Sequence, residues 1–385
     1  MENRKFVTIK KFAFAFVALL NLVNLTTARQ VYAYEIPTHA GITKEITRFY
    51  NEHFSSRQLS DAEMQSLMEG SRREDDAPRW MNHFYDPMHN RGLTNFFGTN
   101  WMSSKQWANN SGEQISALYN PIHQVTYSAV LTLANPELLT QTDYTWRRSL
   151  EDYARGDTTR AFEGLGHVLH LLEDASVPDH TRNDPHPAVG EKDYLETGSP
   201  YELWTARFTE DNINLLQYLY TKKPIVLDSR DAYFDAMANY SNKNFYSKDT
   251  IDVAEYAEPK PDYILKINGR VFGFRRDGDA GDYRLIYFDA QGHQSDTLNA
   301  GLKSTLKDAD FLVMRDYWER LAPKAAQYGA GLVQLFLKEA EQLKNDPSFS
   351  KEKPKSPLAE VLNALRGFFE RASEDAVSDG LYEVA

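Results

Sequence analysis

The chain has 385 residues, no cysteine, 42% hydrophobic and 13% aromatic residues, and a formal charge of −12. This is enough apolar material for one large core or two smaller ones; it excludes disulfides and thiolate metal sites, leaving His, Asp, Glu and backbone groups as the possible metal ligands. An acidic surface repels phosphate backbones on average and disfavours nonspecific binding of duplex nucleic acid, while a local cationic site made by metal ions stays compatible with it.

In chain order, Arg4, Lys5, Lys10 and Lys11 precede the apolar run FAFAFVALL (12–20), and Val31-Tyr32-Ala33 supplies a small-x-small cleavage site. This predicts a signal peptide over 1–33, and hence a secreted or periplasmic protein beginning at Tyr34. The run is too short to be a span, which takes about 20 apolar residues. Cleavage removes five basic residues and one acid, taking the formal charge from −12 to about −16.

Ile42, Ile46 and Phe49 follow His39 at the spacing of one helical face, so His39 stands near a helix N-terminus. A second helix is expected over about 57–69, an irregular aromatic-rich region over about 70–110, and further helices over about 113–133 and 144–154. The most legible helix starts at Asp157 or Thr158, both good N-caps, and carries Ala161, Phe162, Leu165, Val168, Leu169 and Leu172 on its apolar side. It must end by Val177, because Pro178 restrains the residue before it from helical angles. Helices are also expected over about 200–220, 229–243 and 308–344, the last broken at Pro323.

Between these the period changes. YILKI, then Asn268-Gly269, then RVFGFRR, DGDAGD and YRLIYFD predict a three-stranded antiparallel meander over 262–290, inserted into a mainly α domain of 34–344. DGDAGD lacks the closing glutamate of a calcium loop and reads as a turn. NDPSFSKEKPKSP (345–357) reads as a linker. The tail 358–385 holds an amphipathic helix whose mixed charge favours docking on the domain over lying on a membrane.

One stretch carries chemistry. In HLLEDASVPDH (170–180), His170 and Asp174 stand four apart and project from one helix face, and His180 follows after Pro178 turns the chain. A histidine satisfied by a neighbouring carboxylate would look the same, but these residue types recur: EDDAPRWMNHFYDP places Asp75 and Asp76 before His83, and YEIPTH puts His39 five residues after Tyr34. The α-amine and carbonyl of a new N-terminal Tyr34 can chelate a metal ion, so cleavage would create a ligand. His167 reads as a neighbour of the site or a core residue, and Glu173, on the far side of the helix from His170, as solvated. His53, His89, His123 and His293 have no motif company.

A histidine near the mature N-terminus, ED before NHFYDP, then LHLLED and VPDH, together resemble the zinc-dependent phospholipase C family and its relatives, the fungal single-strand-specific zinc nucleases. The resemblance runs from about Tyr34 to Glu202 and implies a multi-helical domain with two or three zinc ions. It implies a first zinc on Asp75, His83, His170 and Asp174, and a second on His39, the Tyr34 amine and carbonyl, and the other oxygen of Asp174. Asp75 is preferred to Asp76 because it follows Glu74 directly and lies five residues after Gly70. The family's third site uses His180 with a later histidine and a carboxylate four residues beyond; here Glu202 is the carboxylate, but Gly198 stands where the histidine should. Either His186, in TRNDPHP, supplies the missing donor or the third site is weakened or absent.

The implied activity is phosphodiester hydrolysis by metal-activated water, with Asp75 as the general base. A phospholipid headgroup is the expected substrate, with transient contact to a membrane surface; Phe96, Phe97 and Trp101 supply aromatics for a pocket. A single-strand nuclease-like phosphodiesterase is one alternative. A non-catalytic surface or binding protein stapled by zinc is another.

Overall fold

The computed structural model describes residues 35–76, 79–95, 100–116, 142–186, 198–251, 253–257, 259–278, 281–288, 310–351 and 359. The expected signal peptide, Tyr34, Phe96, Phe97, most of the 113–133 helix, residues 352–357 of the linker and nearly all of the C-terminal tail lie outside them. Among the described residues no helix is long and apolar enough to cross a membrane.

The architecture is mainly α with one small antiparallel sheet. Helix α1 (Ile36–His53) carries a proline in its first turn, where a missing N–H costs nothing. Helix α2 (Asp61–Arg73) opens on a reciprocal capping box between Ser60 and Glu63, which sets its start at Asp61 rather than near 57. A 3₁₀ turn (Arg79–Asn82) and two short helices, α3 (Ser104–Trp107) and α4 (Ser111–Ser116), cross the aromatic-rich region. Helix α5 (Trp146–Arg155) ends at Gly156, whose φ of 92° is the left-handed closing conformation glycine accepts at no cost. Helix α6 (Thr158–Asp174) is capped by Asp157, which accepts from the Arg160 amide, and α7 (Pro178–Thr181) follows the proline stop.

Helix α6 is the axis of the fold. It packs on α1, α2, α5 and the long final helix α11 (Leu312–Lys344), and from Gly164 to Asp174 every residue is buried. The α2–α6 approach depends on glycines: a Cβ on Gly166 would lie 2.1 Å from the Leu67 carbonyl oxygen, and one on Gly70 would lie 1.8 Å from that of Glu163. That close crossing brings the end of α2 to the end of α6.

Two helical expectations are corrected. The 200–220 stretch forms two short helices, α8 (Pro200–Thr205) and α9 (Leu216–Leu219). Between them, the Asn212 side chain accepts from the Thr209 amide, and buried Glu45 of α1 accepts from the amides of Leu215 and Leu216, which gives the backbone partners outside a helix. Pro323 does not break the last helix: α11 runs through it for 33 residues, with Pro323 buried. The loss of one hydrogen bond, worth about 3 kcal/mol or more in a helix interior, is offset by burial along both flanking segments, from Val313 to Ala340. Helix α10 (Arg230–Asn244), capped by Ser229, falls where it is expected.

The inserted meander is present as β1 (Tyr263–Ile267), β2 (Arg270–Arg275) and β3 (Tyr283–Phe288), antiparallel in the order β1-β2-β3. Asn268 and Gly269 have φ of 50° and 82°, as a two-residue hairpin turn requires. The sheet docks on α11: Asp316 accepts from the Arg284 amide at 2.8 Å and from its guanidinium, and Tyr317 donates to the Leu285 carbonyl at 2.7 Å. Around DGDAGD, Arg320 donates to the Gly281 carbonyl and lies 3.4 Å from Asp277 Oδ2, so the loop already has an internal cation. Past α11, Phe349 is buried in a 3₁₀ turn with the Arg155 guanidinium 4.5 Å from its ring centre.

Candidate metal centre

The chain delivers its imidazoles and carboxylates from six places to one end of α6. His39 stands in the first turn of α1, and Asp75 follows α2 by two residues. His83 comes after the 3₁₀ turn, and His170 and Asp174 share the last turns of α6. His180 lies in α7, His186 follows it, and Glu202 is in the first turn of α8. All eight are buried, none more than 3% exposed.

Their donor atoms fall into three sets, each within 4.8 Å: His39, His170 and Asp174; Asp75, His83 and His170; His180, His186 and Glu202. Asp174 divides its oxygens. Its Oδ2 lies 3.1 Å from His83 Nδ1 and 3.4 Å from His170 Nε2, while its Oδ1 lies 3.4 Å from His39 Nε2. Asp75 Oδ1 is 3.7 Å from both His83 Nδ1 and His170 Nε2. In the third set Glu202 Oε1 lies 3.3 Å from His180 Nε2 and 2.9 Å from His186 Nε2. Ligands about 2.0–2.2 Å from a tetrahedral zinc are separated by roughly 3.4 Å, and these spacings bracket that value.

Outer contacts aim the rings. The Nδ1 atoms of His170, His180 and His186 face the carbonyl oxygens of Ser71 at 2.7 Å, His83 at 3.3 Å and Asp184 at 2.7 Å. With Nδ1–H donating, the Nε2 atoms of His170 and His180 present lone pairs inward. His39 does the same with a carboxylate: its Nδ1 is 2.7 Å from Glu173 Oε2, whose other oxygen accepts from Thr43. Glu173 is therefore buried rather than solvated: three residues from His170, it lies about sixty degrees round α6 on the side that α1 covers, where His39 and Thr43 meet it.

Burial dominates the electrostatics. It holds the imidazoles of His39, His83 and His180 well below their ordinary value, with repulsion among neighbouring imidazoles adding to it, and pushes His170 down to about 3. It drives the carboxyls of Asp75 and Asp174 well up, helped by Glu74 for the first and by Asp75 and Glu173 for the second. Charge of either sign is thus disfavoured until something compensates it. His186 goes the other way: burial lowers it, but Glu202, Asp179 and Asp184 raise it to about 10.

The fit to a metal can be tested on unsatisfied atoms. Among the described residues, His83 Nδ1, His170 Nε2, both Asp174 oxygens and His180 Nε2 are buried without a hydrogen-bond partner. At about 1–3 kcal/mol each, five such atoms would cost on the order of 10 kcal/mol, comparable to the whole stability of a domain. They converge on common points instead of being scattered, and His and carboxylate donors without thiolates suit zinc. The donor set fits.

Against the sequence expectations, the structure brings together every anticipated site residue it describes. Asp75 faces the site, while the Asp76 side chain is 64% exposed beside Arg73. His186 reaches the carboxylate that Gly198 cannot serve. Two features were missed. Glu74 is a buried hub accepting from Arg79 at 2.8 Å and Trp107 at 2.7 Å, with His167 Nδ1 2.5 Å away, so His167 is tied to the strand of chain bearing Asp75. His89 has company after all, with Asp86 and Glu255, but Arg91 already pairs with both carboxylates.

No family model matches this chain, and no curated protein matches it. Among solved structures it is similar to the alpha toxin from Clostridium absonum, at a TM-score of 0.38 and 12% identity, covering 85% of this chain and 68% of that one. It is also similar to the alpha-toxin from an avian strain of Clostridium perfringens, at 0.35 and 15%, covering 84% and 68%. At these values the likenesses say nothing of chemistry. The converging donors do.

Proposed function

We propose that this chain is an exported zinc-dependent phosphodiester hydrolase of the phospholipase C type, holding two or three ions. The observation that carries the proposal is the division of Asp174: one oxygen toward His83 and His170, the other toward His39, in a pocket of otherwise unsatisfied buried donors. Bound zinc supplies Lewis acidity and water activation, the chemistry that in-line displacement at phosphorus needs.

The chain's own residues supply the rest. Asp75, His83, His170 and Asp174 would hold one ion; His39, the other Asp174 oxygen and the Tyr34 terminus a second; His180, His186 and Glu202 a third. Asp75 is the general base: it would lie beside a water held by the ion that it helps to bind, and its carboxylate would take the proton from that water. The apolar shell around the donors keeps bulk water out. Phe84 stacks on His180 with ring centres 4.2 Å apart, and packs with Met81, Leu93 and Trp101 in an apolar cluster on that flank. The acidic charge supports a phospholipid headgroup over duplex nucleic acid.

The test is a side-by-side assay. Mature protein reconstituted with zinc is offered phosphatidylcholine vesicles and single-stranded nucleic acid, with Asp174→Ala as control. Release of phosphocholine by the wild type alone supports the proposal; cleavage of nucleic acid alone transfers the site to the nuclease reading. Cleavage of neither by zinc-loaded protein leaves a structural metal centre.

A further inference from the structure

The side chain of Glu173 is 1% exposed and uses both oxygens on one helix of a distant segment. Oε2 faces His39 Nδ1 at 2.7 Å, and Oε1 accepts from Thr43 Oγ1 at 2.7 Å. Thr43 stands four residues after His39, so one face of α1 presents an imidazole and a hydroxyl to the two oxygens of one carboxylate. The opposite nitrogen of the same ring, His39 Nε2, lies 3.4 Å from Asp174 Oδ1. Consecutive acids of α6 thus grip the two edges of one imidazole.

Backbone carbonyls do the corresponding work for His170, His180 and His186, and a carbonyl comes with the fold at no charge cost. A buried carboxylate is expensive unless it gains something a carbonyl cannot give. Opposite a cation held on Nε2 it can act as a charged acceptor, which strengthens the Nδ1–H bond and raises the basicity of Nε2. The need is local. Among the described residues the one carboxylate of the His39 set is Asp174, whose other oxygen faces His83 and His170. Stacking of His39 on His170, with ring centres 3.5 Å apart and 18° between planes, holds the ring's plane without choosing which nitrogen points inward. Glu173 and Thr43 make that choice.

Building on the metal-centre reading above, we propose that Glu173 is a positioning residue that sets cation affinity at the His39 position, acting through the imidazole and with Thr43 as its brace. The test uses the mature full-length protein and zinc itself, titrated against a competing chelator so that the binding steps are resolved. Glu173→Gln keeps the shape and removes the charge, and should weaken one zinc step about 10–100-fold while the other steps keep their wild-type constants. Thr43→Val leaves the carboxylate and should weaken the same step by less; it also serves if the first variant does not fold, as far-UV circular dichroism of the metal-free protein will show. Unchanged constants in a folded Glu173→Gln overturn the proposal, as does equal weakening of every step by either variant. A wild type that takes up no zinc removes this inference and the metal centre together. A wild type that binds zinc but hydrolyses nothing removes the hydrolase reading alone, and the titration still decides the role of Glu173.

Discussion

Replacing Gly166 with alanine tests how the two halves of the site are brought together. A Cβ at this position would meet the Leu67 carbonyl oxygen at 2.1 Å, the Leu67 carbonyl carbon at 2.9 Å and the Ser71 nitrogen at 3.0 Å, all backbone atoms of α2 that no rotamer change can move. Ordinary contact lies beyond 3.4 Å, so α2 and α6 must separate by about 1 Å or more, a strain typically worth about 1–3 kcal/mol. The displacement falls one turn before the Ser71 carbonyl that anchors His170 at 2.7 Å, and two turns before Asp75. Metal sites tolerate ligand distances within about ±0.2 Å, so zinc uptake should fail at the Asp75, His83, His170 set first, and hydrolysis should fall by about 100-fold. Gly164→Ala is the control: its Cβ would meet the Ser149 hydroxyl, the end of a side chain that can rotate away. That variant should lose about 1 kcal/mol with the Ser149 to Thr145 hydrogen bond and keep its zinc. Urea denaturation of metal-free protein gives the first quantity and chelator competition the second. If Gly166→Ala matches Gly164→Ala in stability and binds zinc as the wild type does, the glycine-dependent crossing does not set the site.

Asp174→Ala should lose more than one zinc ion by elemental analysis, because its two oxygens face two donor sets; loss of one ion or none would show that it does not bridge. Zinc at 1,000 times its dissociation constant should add about 4 kcal/mol per independent site to the wild type, read as a rise in melting temperature that chelation reverses. Glu74→Leu leaves the buried Arg79 guanidinium without its carboxylate and should cost about 3–5 kcal/mol in urea; a loss under about 1 kcal/mol would deny Glu74 its role as hub. At Glu63, burial raises the carboxyl, but hydrogen bonds from Arg57 and Ser60 outweigh it and hold the group below its ordinary value. The folded form therefore binds its proton less readily than the unfolded chain, so this contribution is present above about pH 4.5 and lost as pH falls through the lowered value. Glu63→Gln should flatten that part of the acid limb of a melting-temperature profile; an unchanged slope would contradict it.

Much of the site is legible in the sequence because its signals are local. Asp157 caps α6, Pro178 ends it, and a spacing of four puts His170 beside Asp174. What local pattern cannot show is who stands on the other side. Glu173 reads as solvated on an amphipathic helix, but α6 is enclosed by α1, α2, α5 and α11, and the side Glu173 shares with His170 meets His39 and Thr43. Glu74 escapes notice for the same reason, since its partners Trp107 and His167 are 33 and 93 residues away. The Asn-Gly turn fixes the meander because two positive φ angles demand those residues. Pro323 misleads because helix propensity is a weak local term beside the packing of a 33-residue helix.

The central claim is that zinc occupies the space between His83 Nδ1, His170 Nε2 and Asp174 Oδ2. Anomalous diffraction at the zinc absorption edge, on crystals of the chain from Tyr34 onward, decides it. One peak is expected there, a second between His39 Nε2 and Asp174 Oδ1, and a third against His180, His186 and Glu202. Ordered water at the first two positions in zinc-saturated crystals, or ions bound only at the surface, would contradict it.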